Sequence, residues 1–322
     1  MAQATPPCAR RTASCRWLPL ATATALLLGA TCAVTANPFL RGAECPRPIL
    51  NIAHAGASSV APQNTLAAGQ AALELGADVW GVDARLSEDG VLVLMHDATL
   101  DRTTDVEAQF PTRAPWKVEA FTFTEIRTLD AGSWFLRDDP FGQIGAGCVA
   151  AAALTRYAGE RVPSLREALG FVAAHEWRID IELKPTEGAD PEDLARRVVD
   201  LLVETRTTDR AMISSFDHEI LRAVKALDPT IPTGALAIFA PRDLVAYLDD
   251  LGADVYLPSL VGFTEDLLTE LSDAGFGVHV WTYNAEAQFE RLVSTPGITG
   301  ITTDFPQRLD LILRHFEQDA HD

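Results

Sequence analysis

The sequence predicts a single (β/α)8 TIM barrel with an insertion after the second strand, and three observations predict it. From Ile49 onward, eight short apolar, β-branched runs alternate with amphipathic helical stretches, the pattern of repeated βα units around a parallel sheet. One interval between runs is far longer than the rest. Polar residues with catalytic chemistry collect at the ends of the runs, which in a barrel open into one mouth.

Taken in order, the chain begins with a leader. Residues 1–36 carry Arg10, Arg11 and Arg16, no acid, an apolar stretch from Leu18 to Ala30 and a small-x-small site at Val34-Thr35-Ala36. This reads as a secretory signal peptide, too short and alanine-rich for a span of about 20 apolar residues. The expectation is an exported protein, periplasmic or extracellular, comprising residues 37–322 as one domain with no stable membrane span. Acylation at Cys32 is the lesser expectation, because Thr31 is unusual before a lipoprotein cysteine. Beyond the leader only Cys45 and Cys148 remain, and in an oxidising compartment they either pair or stay as two thiols.

The eight runs are Ile49 to Ala53, Val79 to Ala84, Ile179 to Leu183, Ala211 to Ser214, Thr233 to Ala237, Val255 to Leu257, Val278 to Trp281 and Ile298 to Thr302. Between them, Leu66 to Leu75, Leu194 to Leu202, Ile220 to Leu227 and Leu244 to Leu251 place apolar residues at three- and four-residue steps, as helices on a sheet require. Val91 to Met95 reads as a strand returning from the turn Glu88-Asp89-Gly90. It brings His96 close behind the second run. The segment from about Thr104 to Arg161 is rich in Gly, Pro and aromatics and reads as the insertion, its aromatics chiefly packing.

Net charge is −19 from 26 basic and 45 acidic residues, and removing the leader makes the chain more acidic still. Such a surface repels nucleic acid and anionic lipid, so neither is expected as a partner. Any phosphate-bearing ligand must be met by a local positive feature.

The strand ends supply His54, Asp83, His96-Asp97, Glu182, Lys184, Ser215, Asp217, Trp281 and Asp304. Singly, each has an ordinary structural explanation: Asp217 caps the helix that follows, Asp304 precedes a helix beginning at Pro306, and Asp101 to Thr104 tie down a loop. Together they suit metal-assisted phosphoryl chemistry. Asp83 and Glu182 are hard oxygen ligands for Ca²⁺ or Mg²⁺. Lys184 can stabilise charge on a phosphoryl oxygen, and two histidines can serve as acid and base.

These residues lie in segments that resemble the glycerophosphodiester phosphodiesterase family. The resemblance runs through Ile52-Ala53-His54-Ala55-Gly56-Ala57, Ala61-Pro62-Gln63-Asn64-Thr65, Leu73 to Asp78, Met95-His96-Asp97 and Leu100 to Thr104. It continues through Ile181-Glu182-Leu183-Lys184, Ile213 to Asp217, Val280 to Asn284 and Ile301 to Pro306. It implies a (β/α)8 barrel that hydrolyses small glycerophosphodiesters to glycerol 3-phosphate and an alcohol with a divalent metal, Ca²⁺ or Mg²⁺. By position, it makes His54 and His96 the catalytic acid–base pair and Asp83, Glu182 and Gln63 metal ligands. Lys184, Asn64 and Trp281 become substrate-binding residues.

Three departures fall within the site. Ala55 stands where the family has arginine, Gln63 where it has glutamate, and Gly81 where it has the first carboxylate of a Glu-x-Asp pair. Each removes a charge. Two expectations follow: a phosphodiesterase of reduced activity, or a homologue that binds a phosphodiester or phosphorylated ligand without turning it over.

Overall fold

The computed structural model describes residues 37–40 and 49–319; the leader, with Cys32, and Cys45 of the considered Cys45–Cys148 pair lie outside them. In chain order the barrel elements are β1 (Leu50–Ala53), α1 (Leu66–Glu74), β2 (Val79–Leu86), β3 (Leu92–Leu94), α2 (Leu165–Ala174), β4 (Arg178–Leu183), α3 (Pro191–Thr205) and β5 (Ala211–Ser215). There follow α4 (His218–Leu227), β6 (Thr233–Ala237), α5 (Leu244–Leu251), β7 (Val255–Pro258), α6 (Glu265–Asp273), β8 (Gly277–Val280), α7 (Glu286–Val293), β9 (Gly300–Thr303) and α8 (Pro306–Asp319).

Eight strands are parallel and close on themselves in the order β1-β9-β8-β7-β6-β5-β4-β2, with β2 pairing back to β1. The ninth, β3, is antiparallel to β2. It is the short return strand that carries the chain to His96. All eight runs read from the sequence become barrel strands, with ends that differ by no more than two residues. Their β-branched, continuously apolar character follows from burial on both faces, by helices outside and side chains inside.

The helices start where the sequence offers a cap. Thr65 accepts from the Ala68 amide ahead of α1, Ser164 and Glu167 form a reciprocal box ahead of α2, and Asp190 followed by Pro191 opens α3. Inside the barrel, Ile52, Val79, Met212, Leu236, Val255 and Leu257 form an apolar plug sealed by Phe39, which is fully buried. The Phe39 carbonyl lies 3.1 Å from His279 Nε2, so residues 37–40 are an integral part of the barrel.

The insertion is built of short helical turns over two small apolar clusters. One gathers Val106, Phe121 and Ile126; the other sets Trp134, Phe135 and Tyr157 against Ala61 and Ala68 on the α1 side. Its aromatics pack, as their sequence context suggested. Phe110 meets Phe121 at 5.3 Å and Phe141 meets Phe305 at 5.5 Å, both edge-on.

Candidate active site

The carboxyl ends of the strands enclose a cavity of about 200 Å³ whose lining includes His54, Asp83, His96, Glu182, Lys184 and Trp281. Strand register explains the convergence. Asp83 on β2 pairs directly with Glu182 on β4, so both side chains emerge on the same face, side by side. His54 follows β1 immediately, on a turn that bends sharply at Gly56. Gly56 has a φ of +88°, and a Cβ there would come within 2.6 Å of Ala68, so no other residue fits between this turn and α1.

Each histidine is held by a carboxylate. His54 Nδ1 lies 2.8 Å from Asp304 Oδ1, and His96 Nδ1 lies 2.8 Å from Asp97 Oδ1. An Nδ1–H donated to a carboxylate leaves Nε2 as the nitrogen of each ring that can exchange a proton. The two rings stand 6.5 Å apart at 86°. Asp304 is fixed in turn, accepting from Ser58 Oγ at 2.8 Å and Asn284 Nδ2 at 2.7 Å, while Arg102 donates to Asp97. Burial works against a charged His54, but the Asp304 hydrogen bond and the charges of Asp304, Asp83 and Glu182 outweigh it and raise its pKa. Asp304 and Asp97 are both held below the usual carboxylate range: burial would raise them, and their histidine bonds prevail.

Lys184 is the cation at the centre. Its Nζ lies 2.9 Å from Asp83 Oδ1 and also donates to Glu182 Oε1, with only 11% of the side chain exposed. Burial would lower its pKa, but the two carboxylates more than offset this and raise it. The carboxylates respond unequally. Burial pushes Asp83 up, yet Lys184, the two histidines and Asn64 hold it down at about 2. Glu182 is raised by burial and then by the Asp83 charge. Asp83 is therefore the anchored anion, and Glu182 the more readily protonated of the pair.

Asn64, expected to bind substrate, and Gln63, expected as a metal ligand, both lie outside the cavity lining. Asn64 adopts a φ of +55°, which asparagine tolerates, and grips Asp83 twice: Nδ2 donates to Oδ2 at 2.8 Å, and Oδ1 accepts from the Asp83 amide at 3.1 Å. It positions the carboxylate rather than lining the cavity. Gln63 Oε1 accepts from Arg102 at 3.4 Å, outside the lining. Trp281 does line the cavity; its Nε1 donates to the Leu257 carbonyl at 2.8 Å, and its ring meets Phe216 edge-on at 5.6 Å. Ser215 is turned onto the Leu183 carbonyl, and Asp217 caps α4 through the Glu219 amide.

Sequence reading missed Asp180 and Ser214, which line the cavity and are joined by a 2.8 Å hydrogen bond. Burial pushes the Asp180 carboxyl up to about 7, with Glu182 and Asp83 adding to the shift against the Ser214 bond. The signal was present. Asp180 lies two residues before Glu182 on one strand, hence on the same face.

No group of three or more His, Cys, Asp or Glu side chains is arranged to hold a metal among the described residues. The pair Asp83 and Glu182 nevertheless already turns one oxygen each toward a single cation, the Lys184 ammonium. Two hard carboxylates converging on one point fit a divalent ion that keeps several waters, as Mg²⁺ does.

Comparison with known proteins agrees with this geometry. The model of the glycerophosphoryl diester phosphodiesterase family matches residues 54–308. A glycerophosphodiester phosphodiesterase of Caldanaerobacter subterraneus is 32% identical over 82% of this chain and 98% of its own length. Among solved structures, an Oleispira antarctica phosphodiesterase in complex with the product sn-glycerol-3-phosphate is 28% identical, with a TM-score of 0.70 over 82% of this chain and 96% of its own. A glycerophosphodiester phosphodiesterase from Agrobacterium tumefaciens is 26% identical, with a TM-score of 0.62 over 81% and 98%. A closed parallel barrel, two carboxylate-bound histidines at its mouth and a family match spanning most of the chain lead to one conclusion: this protein belongs to the glycerophosphoryl diester phosphodiesterase family.

Proposed function

We propose that the protein is an exported phosphodiesterase that hydrolyses glycerophosphodiesters to glycerol 3-phosphate and an alcohol, with His54 and His96 as its acid–base pair. The observation that carries the reading is the pair itself: two imidazoles 6.5 Å apart, each with Nδ1 bound to a carboxylate, beside a buried lysine. Hydrolysis of a diester needs one group to take a proton from the attacking oxygen and another to protonate the departing one. With Nδ1 committed, the Nε2 atoms supply both. Lys184 places positive charge where the phosphoryl oxygens gain negative charge, in a molecule whose net charge of −19 would otherwise repel them. Trp281 walls the substrate side, while Asn64 keeps Asp83 in place.

Asp83 and Glu182 are the residues that would hold Ca²⁺ or Mg²⁺, with Gln63 further out beside Arg102. When bound, such an ion would supply Lewis-acid polarisation of a phosphoryl oxygen. Ala55 provides no guanidinium fork, and losing a donor of that kind costs a factor of about 100 to 1,000 in rate. The activity expected is therefore real but low.

The test is release of glycerol 3-phosphate from glycerophosphocholine and glycerophosphoethanolamine by purified residues 37–322, with Ca²⁺, Mg²⁺ or chelator, beside His54→Ala. Turnover that needs the cation and vanishes in the variant supports the reading. A folded sample with no turnover above the variant overturns it in favour of a barrel that binds a phosphorylated ligand without hydrolysing it.

A further inference from the structure

We propose that the apolar side of the barrel mouth is a subsite for one acyl chain, so that the enzyme acts on monoacyl glycerophosphodiesters, the lysophospholipid class. The inference rests on the phosphodiesterase reading and names the substrate class of that same site. Among the described residues nine large apolar side chains are exposed, and five of them, Phe216, Ile238, Phe239, Leu260 and Val261, stand in three consecutive loops after β5, β6 and β7. Exposed apolar residues scattered singly are ordinary; a group gathered at a cavity mouth marks a binding surface. Phe239 is 73% exposed and Val261 68%, so neither serves the core.

The group is continuous with itself and with the cavity. Ser259 Oγ donates to the Ile238 carbonyl at 2.8 Å, tying the loop after β7 to the loop after β6. Phe216 lines the cavity and packs edge-on against Trp281 at 5.6 Å, while Leu236 and Leu257 carry the apolar wall inward. Residues 236–241 and 257–263 contain no charged side chain, in a chain that is 22% charged. The opposite side of the same mouth holds His54, His96 and Lys184. One half of the mouth therefore suits a phosphodiester and the other a hydrocarbon.

A glycerophosphodiester with one acyl chain has that division. The chain's net charge of −19 favours a zwitterionic headgroup over an anionic one. In the reaction, water adds across the bond between phosphorus and the headgroup oxygen. The water oxygen remains on phosphorus, the headgroup leaves as its alcohol with one proton, and the product is a monoacylglycerol 3-phosphate.

The experiment compares kcat/KM for glycerophosphocholine and for a short-chain lysophosphatidylcholine below its micelle concentration, in the wild type and in Phe239→Ser/Val261→Ser. Calorimetric binding of the same lysophospholipid, sedimentation and phosphatidylcholine vesicle binding are measured alongside. The wild type should prefer the monoacyl substrate by about 4-fold for each methylene that leaves water, on the order of 50-fold for three. The double variant should lose most of that preference and keep its rate on glycerophosphocholine. Equal kcat/KM for both substrates in the wild type overturns the proposal, as does a preference that survives in the variant. It is overturned equally by a dimer that the variant dissociates, which would make the patch a contact between copies, or by vesicle binding without substrate preference. If neither substrate is hydrolysed, the phosphodiesterase reading fails separately. Calorimetry then decides the subsite: binding that the variant loses supports it, and no binding refutes it.

Discussion

Replacing Asp304 with asparagine tests how the site sets the proton affinity of its histidines. Asp304 Oδ1 receives the His54 Nδ1–H at 2.8 Å and is itself fixed by Ser58 and Asn284, so an asparagine in its place can keep the shape of the contact while losing its charge. The bond and the charge both raise the His54 pKa, against burial, so their weakening must lower it. A hydrogen bond to a charged group is worth ~1.5–3 kcal/mol. His54 is 36% exposed, and solvent screening argues for the lower end. About 1.5 kcal/mol corresponds to roughly one pH unit and roughly tenfold in rate. The assay is the pH dependence of kcat/KM for glycerophosphocholine in the wild type and in Asp304→Asn. One limb should move to lower pH by about one unit, with about a tenfold drop at the optimum. If His54 is the base, it must be neutral, and the acid limb moves. If it is the acid, it must be protonated, and the alkaline limb moves. The same measurement thus assigns the roles. A profile superimposable on the wild type, with an unchanged rate, would refute the argument that Asp304 tunes and orients His54.

Further outcomes follow from other contacts. Ala55→Arg with Gly81→Glu restores two of the missing charges; a Cβ at position 81 meets the Ala53 carbonyl at 3.2 Å, a contact that a shift of a few tenths of an ångström relieves, and kcat/KM should rise at least ~10-fold if one donor of this kind is worth ~100-fold or more. No rise would place the defect elsewhere. Lys184→Met strips the shared cation from the buried Asp83 and the half-buried Glu182 and should cost ~3 kcal/mol, seen as a lower Tm in circular dichroism melts, with Mg²⁺ or Ca²⁺ recovering part of the loss. An unchanged Tm would mean that the ion pair contributes no net stability. Asp180→Asn should be stabilising at neutral pH, because a folded-state pKa raised to about 7 means that the wild type loses stability as pH climbs from the ordinary carboxylate range through about 7. Its advantage in Tm should be small below pH ~4 and reach at most ~4 kcal/mol above pH ~7; an advantage independent of pH would show that burial of the charge is not its source.

The fold was legible because its strands are short, buried on both faces and separated by amphipathic helices, a pattern that admits few closures. The return strand β3 was legible from its turn, and the insertion from its composition. What the pattern did not carry was the use of residues 37–40: Phe39 gives no periodic signal, yet it seals the barrel floor and offers its carbonyl to His279. Likewise Asp304 has a sufficient local explanation as a residue ahead of a proline-initiated helix. Its bond to His54 spans 250 residues and becomes visible only once β9 lies beside β1.

The three charge losses are also better understood in space than along the chain. Ala55 and Gln63 are eight positions apart in sequence, but the amide of Asn64 donates to the Ala55 carbonyl at 2.9 Å, so the two departures sit on backbone segments that touch. Gly81 lies on β2 two residues before Asp83 and lines the same cavity as Ala55, and the absence of a carboxylate there thins the set that Lys184 now balances. The remaining carboxylates each retain specific partners: Asp83 has Asn64 and Lys184, Glu182 has Lys184, Asp97 has His96, and Asp304 has His54. A site drifting without function has no reason to keep both histidines oriented by carboxylates. The pattern therefore favours a retuned catalyst, and the double restoration at 55 and 81 tests that inference, because activity regained there requires the rest of the machinery to be intact.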